Sequence, residues 1–361
     1  HNTVKTGNPK GMQSGGVCNP TLGCQYTNDF GILAWGTNSN IHDNTFTLQE
    51  GRGIQLAGNG SLARNNTITN ANEKENNAEY KGCETSGVYG IQWDDKVGNT
   101  TASGNHVTVV AGVCTASAMR LTDTPATGNN KSNNNFYTAI RTSTSLPCTV
   151  PQAGAPSGCA MAISTEMSNN TTGFTSTNDT FTGASGIFWF DWMGAYNLTL
   201  INPTFNKGTT FPSSPWYFAV AENGYGAVSN VHIRDAKFGT GVDPTNNRIH
   251  ARHAGTQAAV SLYIDWTYTL AVTDQNGHPV TGATVRVMDS LGNQECSTST
   301  NAAGVATCVL TEERIHNDTG DNQVENRNPM KVTTSKSGCV TKAATETISE
   351  TTNRVIQLSP L

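Results

Sequence analysis

The sequence predicts an all-β chain: a right-handed parallel β-helix solenoid over residues 1–262, followed by a small β-sandwich over residues 263–361. Two recurring motifs and the composition predict it. A short apolar strand entered through a small residue recurs at Gly31-Ile32, Gly53-Ile54, Gly90-Ile91, Ala118-Met119, Ala160-Met161 and Gly186-Ile187. A polar residue, usually Asn, stands two places before an apolar one at Asn44/Phe46, Asn66/Ile68, Asn105/Val107, Asn134/Phe136, Asp179/Phe181, Pro203/Phe205 and Ala236/Phe238. The two motifs alternate strictly, and fixed-order repetition of short strands is the mark of a solenoid. With 36 Gly and only 14% charged residues, the strands must be short and the turns many.

The first coils set the dimensions. Ile32 to Ile54 and Phe46 to Ile68 each span 22 residues, enough for three short strands and three turns at a rise of about 3.3 Å per residue. Stacking then predicts one interior column of Ile32, Ile54, Ile91, Met119, Met161 and Ile187. A second runs through Phe46, Ile68, Val107, Phe136, Phe181 and Phe205. Asn suits the turns because it tolerates left-handed backbone and its amide can bond the amide of the neighbouring coil. Asn2-Thr3-Val4 already fits the second motif, so the chain is expected to open inside a coil with no capping helix before His1.

One constellation on the solenoid suggests chemistry. Just past the small-apolar strand of successive coils stand Asp94, Asp123, Glu166 and Asp191, at offsets of three to five residues. In register they would form a column of carboxylates about 5–10 Å apart, from the interstrand spacing. Separations of about 5–5.5 Å suit retaining glycosidases and about 6.5–9.5 Å inverting ones. Asp94 and Asp123 are also suited to hold Ca²⁺ through oxygen ligands. Stacked acids repel, which would raise the pKa of at least one, as a general acid requires. Trp93, Trp189 and Trp192 beside the column are candidate platforms for sugar rings, and Arg120 is a candidate partner for acidic sugars or for the acids themselves. The competing reading of the column is a set of solvated turn acids. His250 and His253 lack a third ligand for zinc.

This portion resembles the pectate-lyase-like superfamily, on the coil pattern over roughly residues 1–262. That superfamily includes polysaccharide lyases, glycoside hydrolases, phage tailspikes and surface adhesins. Asp94-Asp95 is the only adjacent aspartate pair; no Gly-His-Gly follows, and no Arg-rich lyase segment is present. The resemblance therefore implies a fold, while function has to be argued from the site.

Near Tyr263 to Tyr268 the repeat stops. Alternating strands follow at Tyr268–Val272, Gly282–Val287, Val305–Leu310, Met330–Thr334 and Val355–Leu358. Turns fall at Gln275–Val280, Asn293 and Asn301–Gly304. The stretch Val272-Thr273-Asp274-Gln275-Asn276-Gly277-His278-Pro279-Val280-Thr281-Gly282-Ala283-Thr284-Val285 resembles the carboxypeptidase-regulatory-like or transthyretin-like Ig-type module. The resemblance implies a spacer, stabilising or adhesion unit rather than a catalytic one.

Nine cysteines without C-x-x-C spacing predict disulfides closing loops: Cys18/Cys24, Cys83/Cys114, Cys148/Cys159 and Cys296/Cys308. Cys339 is left over, either free or bonded to another chain. Disulfides point to a secreted or cell-surface protein. A net charge of −5 without basic clusters argues against nucleic acid as partner, and no apolar run is long enough to span a bilayer. Sequons such as Asn59-Gly60-Ser61, Asn99-Thr100-Thr101 and Asn197-Leu198-Thr199 are as frequent as so Asn- and Thr-rich a composition produces by chance.

The functional expectation is a secreted protein that binds and degrades an extracellular polysaccharide, as lyase or hydrolase, with Ca²⁺ as the one cofactor the acids suggest. The alternative is a structural subunit of an extracellular filament or surface layer, assembled head to tail from copies of itself through the open coil end and the C-terminal sandwich.

Overall fold

The computed structural model describes residues 3–6, 18–19, 23–24, 30–48, 52–70, 88–93, 97–111, 115–122, 128–141, 159–166, 173–190, 195–209, 216–221, 228–246, 249–251, 260–317 and 323–361. Every regular element among them is a strand. The chain divides into two compact units. One comprises His1–Val231, Ala236–Val260 and Asn317–Asn322; the other comprises His232–Asp235, Ser261–His316 and Gln323–Leu361.

The first unit is a parallel β-helix. Its first sheet stacks Thr3–Thr6, Thr45–Leu48, Thr67–Asn70, His106–Ala111, Phe136–Arg141, Thr180–Gly183, Thr204–Lys207 and Lys237–Phe238. The second stacks Phe30–Ala34, Arg52–Leu56, Val88–Trp93, Ala116–Thr122, Ala160–Glu166, Gly186–Phe190, Tyr217–Ala221 and Ile249–Ala251. The third runs from Asn40–His42 through Leu62–Arg64, Thr101–Ser103, Asn130–Asn133, Phe174–Thr177 and Ala195–Ile201 to Val228–Arg234. Successive strands in each ladder belong to successive coils, so the coil is the repeating unit that the sequence predicts.

In the first sheet the interior column reads Phe46, Ile68, Val107, Tyr137, Phe181, Phe205, Phe238, with Val4 the register partner of Phe46. This corrects one member: Tyr137, fully buried, takes the place expected of Phe136, which is 48% exposed. The ladder pairs Val107 with Tyr137 and pairs His106 with Phe136 outside, where the two rings stack at 4.6 Å. From Tyr137 onward the column is a run of stacked rings, with centroids 5.4 Å apart at Tyr137–Phe181 and 5.8 Å at Phe181–Phe205 and Phe205–Phe238. Each buried ring contributes about 1.5–3 kcal/mol by leaving water, and stacking adds about 0.5–1.5 kcal/mol. The outward face alternates as a half-buried sheet should, with Thr47, Thr69, Thr108, Thr138 and Thr182 in one line.

The turn asparagines divide two tasks between neighbouring positions. Asp43, Asn65, Asn134, Asn178, Asn202 and Asp235 adopt left-handed backbone, with φ between 51° and 56°. The residue after each of the first four is buried and builds a side-chain ladder. Asn66 Oδ1 accepts from the backbone N–H and Nδ2 of Asn44, both at 3.1 Å. Asn105 Oδ1 accepts from Asn66 at 2.9 and 3.0 Å, and Asn135 Oδ1 from Asn105 at 2.8 Å twice. Asp179 Oδ1 accepts from Asn135 at 2.6 and 3.1 Å, while Ser176 donates to Oδ2 at 2.6 Å. Asn135, not the expected Asn134, is the ladder member. The same one-residue slip moved Phe136 outside.

The second sheet corrects the other column. Ile32, Ile54, Ile91 and Met119 stack as expected, but Met119 pairs with Ile163, then Phe188, Ala219 and Ile249. Met161 lies two residues earlier, opposite Ser117 and Gly186. Ile187 is one residue short of Phe188. The small residue entering the strand has a steric reason. A Cβ on Gly53 would fall 2.5 Å from Gly90 O and 2.9 Å from Ile68 Cγ2, and one on Gly90 would meet Ala118 O and Val107 Cγ1. At these two positions the backbone of one coil passes too close to the next for a side chain.

The second unit contains all but the first residue of Val260–Thr273, paired in parallel with Thr352–Gln357, and all but the last of Val305–Asn317, paired antiparallel with Gln323–Asn326. An antiparallel sheet orders Gln294–Ser299, Thr284–Met288, Met330–Ser335 and Lys342–Glu346. Three turns of this unit are built alike. Asp274, Asp289 and Asn301 each accept, through one side-chain oxygen, from backbone N–H groups two and four residues on. The disulfide Cys296–Cys308 is formed and Cys339 is a half-buried free thiol. Cys159 is also disulfide-bonded, and Cys18 faces Cys24 across a short hairpin. Cys83, Cys114 and Cys148 lie outside the described residues.

Candidate functional site

The second sheet differs from the other two. Along the first and third sheets buried and exposed residues alternate, but Val88–Trp93, Ala116–Thr122 and Gly186–Phe190 are buried at every position. Both faces of this sheet are therefore covered. Its inward side carries Ile54, Ile91, Met119, Ile163 and Phe188, and alternation turns their neighbours outward. Gln55, Gln92, Arg120, Ser164, Trp189 and Val220 form one outward line in register. Tyr89, Ser117, Met161, Gly186 and Tyr217 form a second line in register, two residues before the inward set; strict alternation would turn it inward, but Tyr89 meets Arg120, and Met161 and Tyr217 pack with Trp189.

The lower coils of this outward face are polar. The Arg120 guanidinium lies 4.1 Å from the centre of the Tyr89 ring and donates through Nη1 to its hydroxyl. Gln92 Nε2 donates to Thr122 Oγ1 at 3.1 Å, and Thr122 Oγ1 donates to Trp93 O at 2.8 Å. Arg52 Nη1 donates to Gln55 Oε1 at 3.1 Å. The upper coils are apolar, where Trp189 packs with Cys159, Met161, Tyr217 and Val220. Between the two regions stand polar atoms with no partner among the described residues: the hydroxyls of Ser117 and Ser164 and the indole N–H of Trp189. An unmade hydrogen bond at a buried group costs about 1–3 kcal/mol, so three on one face are a local cost to the fold at atoms that solvent does not reach.

The residues predicted for catalysis fare differently from the frame that was to hold them. Asp94, Asp123, Asp191 and Trp192 lie outside the described residues. Glu166 ends the strand Ala160–Glu166, where its register partner is Thr122, the residue before Asp123. Trp93 is fully buried on the inward side, edge-on to Phe174 at 5.1 Å, so its ring offers no face to a sugar. Trp189 faces outward but is only 4% exposed. Arg120 does lie on the outward face, beside Ser164 and Gln92 in the ladder. The sequence argument missed Ser117, Ser164, Gln92 and Tyr89. The signal for them was present in the alternate positions of strands whose apolar members alone had been read. Neither proposed Ca²⁺ ligand is described, and the described residues contain no cluster of three His, Cys, Asp or Glu able to hold a metal.

The ladders define the class: an all-β parallel β-helix solenoid whose second sheet is covered on both faces. No protein-family model and no curated protein matches the chain. Among solved structures it is similar to the tailspike protein of E. coli bacteriophage HK620 in complex with a pentasaccharide. The identity is 10%, covering 83% of this chain and 71% of that chain, with a TM-score of 0.24. A point mutant of that tailspike, also with pentasaccharide, matches at 10% identity over 84% of this chain and 68% of that chain, with a TM-score of 0.27.

Proposed function

We propose that this chain is an extracellular β-helix protein that binds a polysaccharide against the outward face of its second sheet. What supports the reading is the grouping of Ser117, Ser164 and Trp189, whose donors have no partner among the described residues, beside Arg120, Tyr89 and Gln92; all six are buried, so the reading requires this face to open to the sugar. A saccharide is a dense set of hydroxyls on an apolar ring framework. It is matched by a few placed polar groups next to aromatic and aliphatic surface. Arg120 adds a preference for acidic sugars. The finer reading is cleavage by Asp94, Asp123, Glu166 and Asp191 as acid, base or metal ligands.

Binding is measured by calorimetry against a panel of neutral and uronic-acid polysaccharides, and turnover by reducing ends or unsaturated product. Ser117→Ala with Ser164→Ala should weaken binding by about 30-fold, two hydrogen bonds at about 1 kcal/mol each. Asp94→Ala or Asp191→Ala should abolish turnover and leave the fold intact. No binding to any polymer, or unchanged affinity in the double variant, would remove the site from consideration.

A second reading, a filament subunit, is favoured by one observation. Among the described residues Phe30–Ala34 and Asn40–His42 are the last strands of their ladders, and beside them Trp35 is 68% and Leu33 37% exposed. A strand edge flanked by apolar side chains is a template for another copy's strand. Electron microscopy of the natively purified protein separates the two readings, since regular filaments would favour the second.

A further inference from the structure

The exposed edges of the coils carry a second set of asparagines, distinct from the buried ladder. Asn99, Asn178 and Asn197 sit in left-handed turns, with φ of 57°, 56° and 54°. Asn99 and Asn178 are exposed and Asn197 half-buried. Each pairs with an Asn of the following coil, and always in the same sense. Asn129 Nδ2 donates to Asn99 Oδ1 at 3.4 Å, Asn202 Nδ2 to Asn178 Oδ1 at 3.2 Å, and Asn230 Nδ2 to Asn197 Oδ1. The first member of every pair therefore uses its oxygen in the pairing and leaves its Nδ2 out of it.

That asymmetry coincides with a sequence asymmetry. The three acceptors begin Asn99-Thr100-Thr101, Asn178-Asp179-Thr180 and Asn197-Leu198-Thr199, each an Asn-x-Thr sequon. The three donors do not: Asn129-Asn130-Lys131 and Asn230-Val231-His232 lack the hydroxyl residue, and Asn202-Pro203-Thr204 has proline in the excluded place. We propose that Asn99, Asn178 and Asn197 carry asparagine-linked glycans. The co-reactant is an oligosaccharide on a polyprenyl diphosphate. The amide nitrogen forms a bond to the anomeric carbon, the bond from that carbon to the diphosphate oxygen breaks, and the diphosphate leaves with the electron pair. The proton lost from nitrogen passes to a base of the transferase. The pairing through Oδ1 survives the reaction, so three glycans along the coil edges cost the turns nothing.

The same geometry excludes neighbouring sequons. Asn65 spends its Nδ2 on Asp43 Oδ1 at 3.2 Å. Asn130 is buried and donates to Val97 O at 2.7 Å. For Asn59 the required hydroxyl, Ser61 Oγ, is buried and donates to Gly36 O at 3.2 Å.

The test is glycopeptide mass spectrometry on the full chain purified from the organism that makes it. The expected result is glycan on the peptides of Asn99, Asn178 and Asn197, with Asn59, Asn65 and Asn130 bare. Thr101→Ala, Thr180→Ala and Thr199→Ala, made in the same host, should each remove one glycan and leave the other two. Three bare asparagines would overturn the proposal. So would equal occupancy at Asn65 and Asn130, since the amide geometry would then select nothing.

Discussion

Replacing Asn105 with alanine tests how the coils are held together. Asn105 is fully buried and sits mid-ladder. Its Oδ1 receives the Asn66 backbone N–H at 2.9 Å and Asn66 Nδ2 at 3.0 Å; its Nδ2 gives to Asn135 Oδ1 at 2.8 Å and Ala63 O at 3.0 Å. After truncation Asn66 Nδ2 keeps Ile41 O, and Asn135 Oδ1 keeps the Asn105 backbone N–H. The Asn66 N–H and one side of Ala63 O are left to a dry interior. Two such losses at about 1–3 kcal/mol each give an expected destabilisation of about 2–6 kcal/mol. Urea unfolding followed by tryptophan fluorescence reads the total, and amide hydrogen exchange at Asn66 reads the local effect. Asn105→Asp sharpens the test, because it keeps the acceptor but turns the donor into a charge facing Asn135 Oδ1. Its deficit should exceed that of alanine at neutral pH and shrink in acid as the carboxyl protonates. A loss under about 1 kcal/mol for Asn105→Ala, with Asn66 exchange unchanged, would show that the ladder follows from coil stacking instead of supporting it.

Other outcomes follow from the same frame. Burial pushes the Asp179 carboxyl above its ordinary range against the opposing bonds from Ser132, Ser176 and Asn135. The folded state thus holds that proton more tightly than the unfolded one. The stability tied to Asp179 is complete below the ordinary carboxyl range and falls as pH rises through the raised value. Asp179→Asn should remove that fall, so urea midpoints from pH 4 to pH 8, a range of about four units, should flatten by up to the one-proton slope of about 1.4 kcal/mol per unit. Parallel curves for variant and parent would refute it. Phe205→Ala, in the middle of the ring stack, should cost about 3–5 kcal/mol. Phe136→Ala, one residue from the stack but outside it, should cost under about 1 kcal/mol. Equal costs in thermal unfolding would mean the register of that coil is wrong.

Much of this frame was legible in the sequence, and the misreadings share a cause. Where a coil offers one candidate, as at Asn66-Thr67-Ile68, the interior residue is unambiguous and Ile68 lies where expected. Asn133-Asn134-Asn135-Phe136-Tyr137 offers three asparagines and two aromatics. Period-two reasoning accepts either phase, and one residue of slip exchanges inside for outside. The structure chooses Asn135 and Tyr137 because the Asn ladder and the ring stack then both continue. Met161 and Ile163 pose the same ambiguity in the second sheet, and the residue stacking on Met119 decides it. The candidate site was harder to read. A strand buried on both faces has no polar phase to reveal its outward side, so Trp93 and Trp189 read alike although they face opposite ways. Cys296–Cys308 was legible from proximity alone, because 12 residues of separation leave a short loop to close, here between strands of two different sheets.

The Asn ladder stops at Asp179. In the next two coils its column is taken by Pro203 and Ala236, which have no side-chain amide to extend it. The ring stack begins at Tyr137 and continues to Phe238. Two rails of different chemistry therefore run along the solenoid and overlap only around residues 135–181. The rule for growing or shrinking such a protein changes along its length. A coil duplicated before the overlap must bring a correctly phased Asn to keep the amide chain unbroken, while one duplicated after it needs only an aromatic residue. Coil-number variants among relatives should therefore be commoner on the aromatic side, where the requirement on a newcomer is shape rather than a hydrogen-bonding partner.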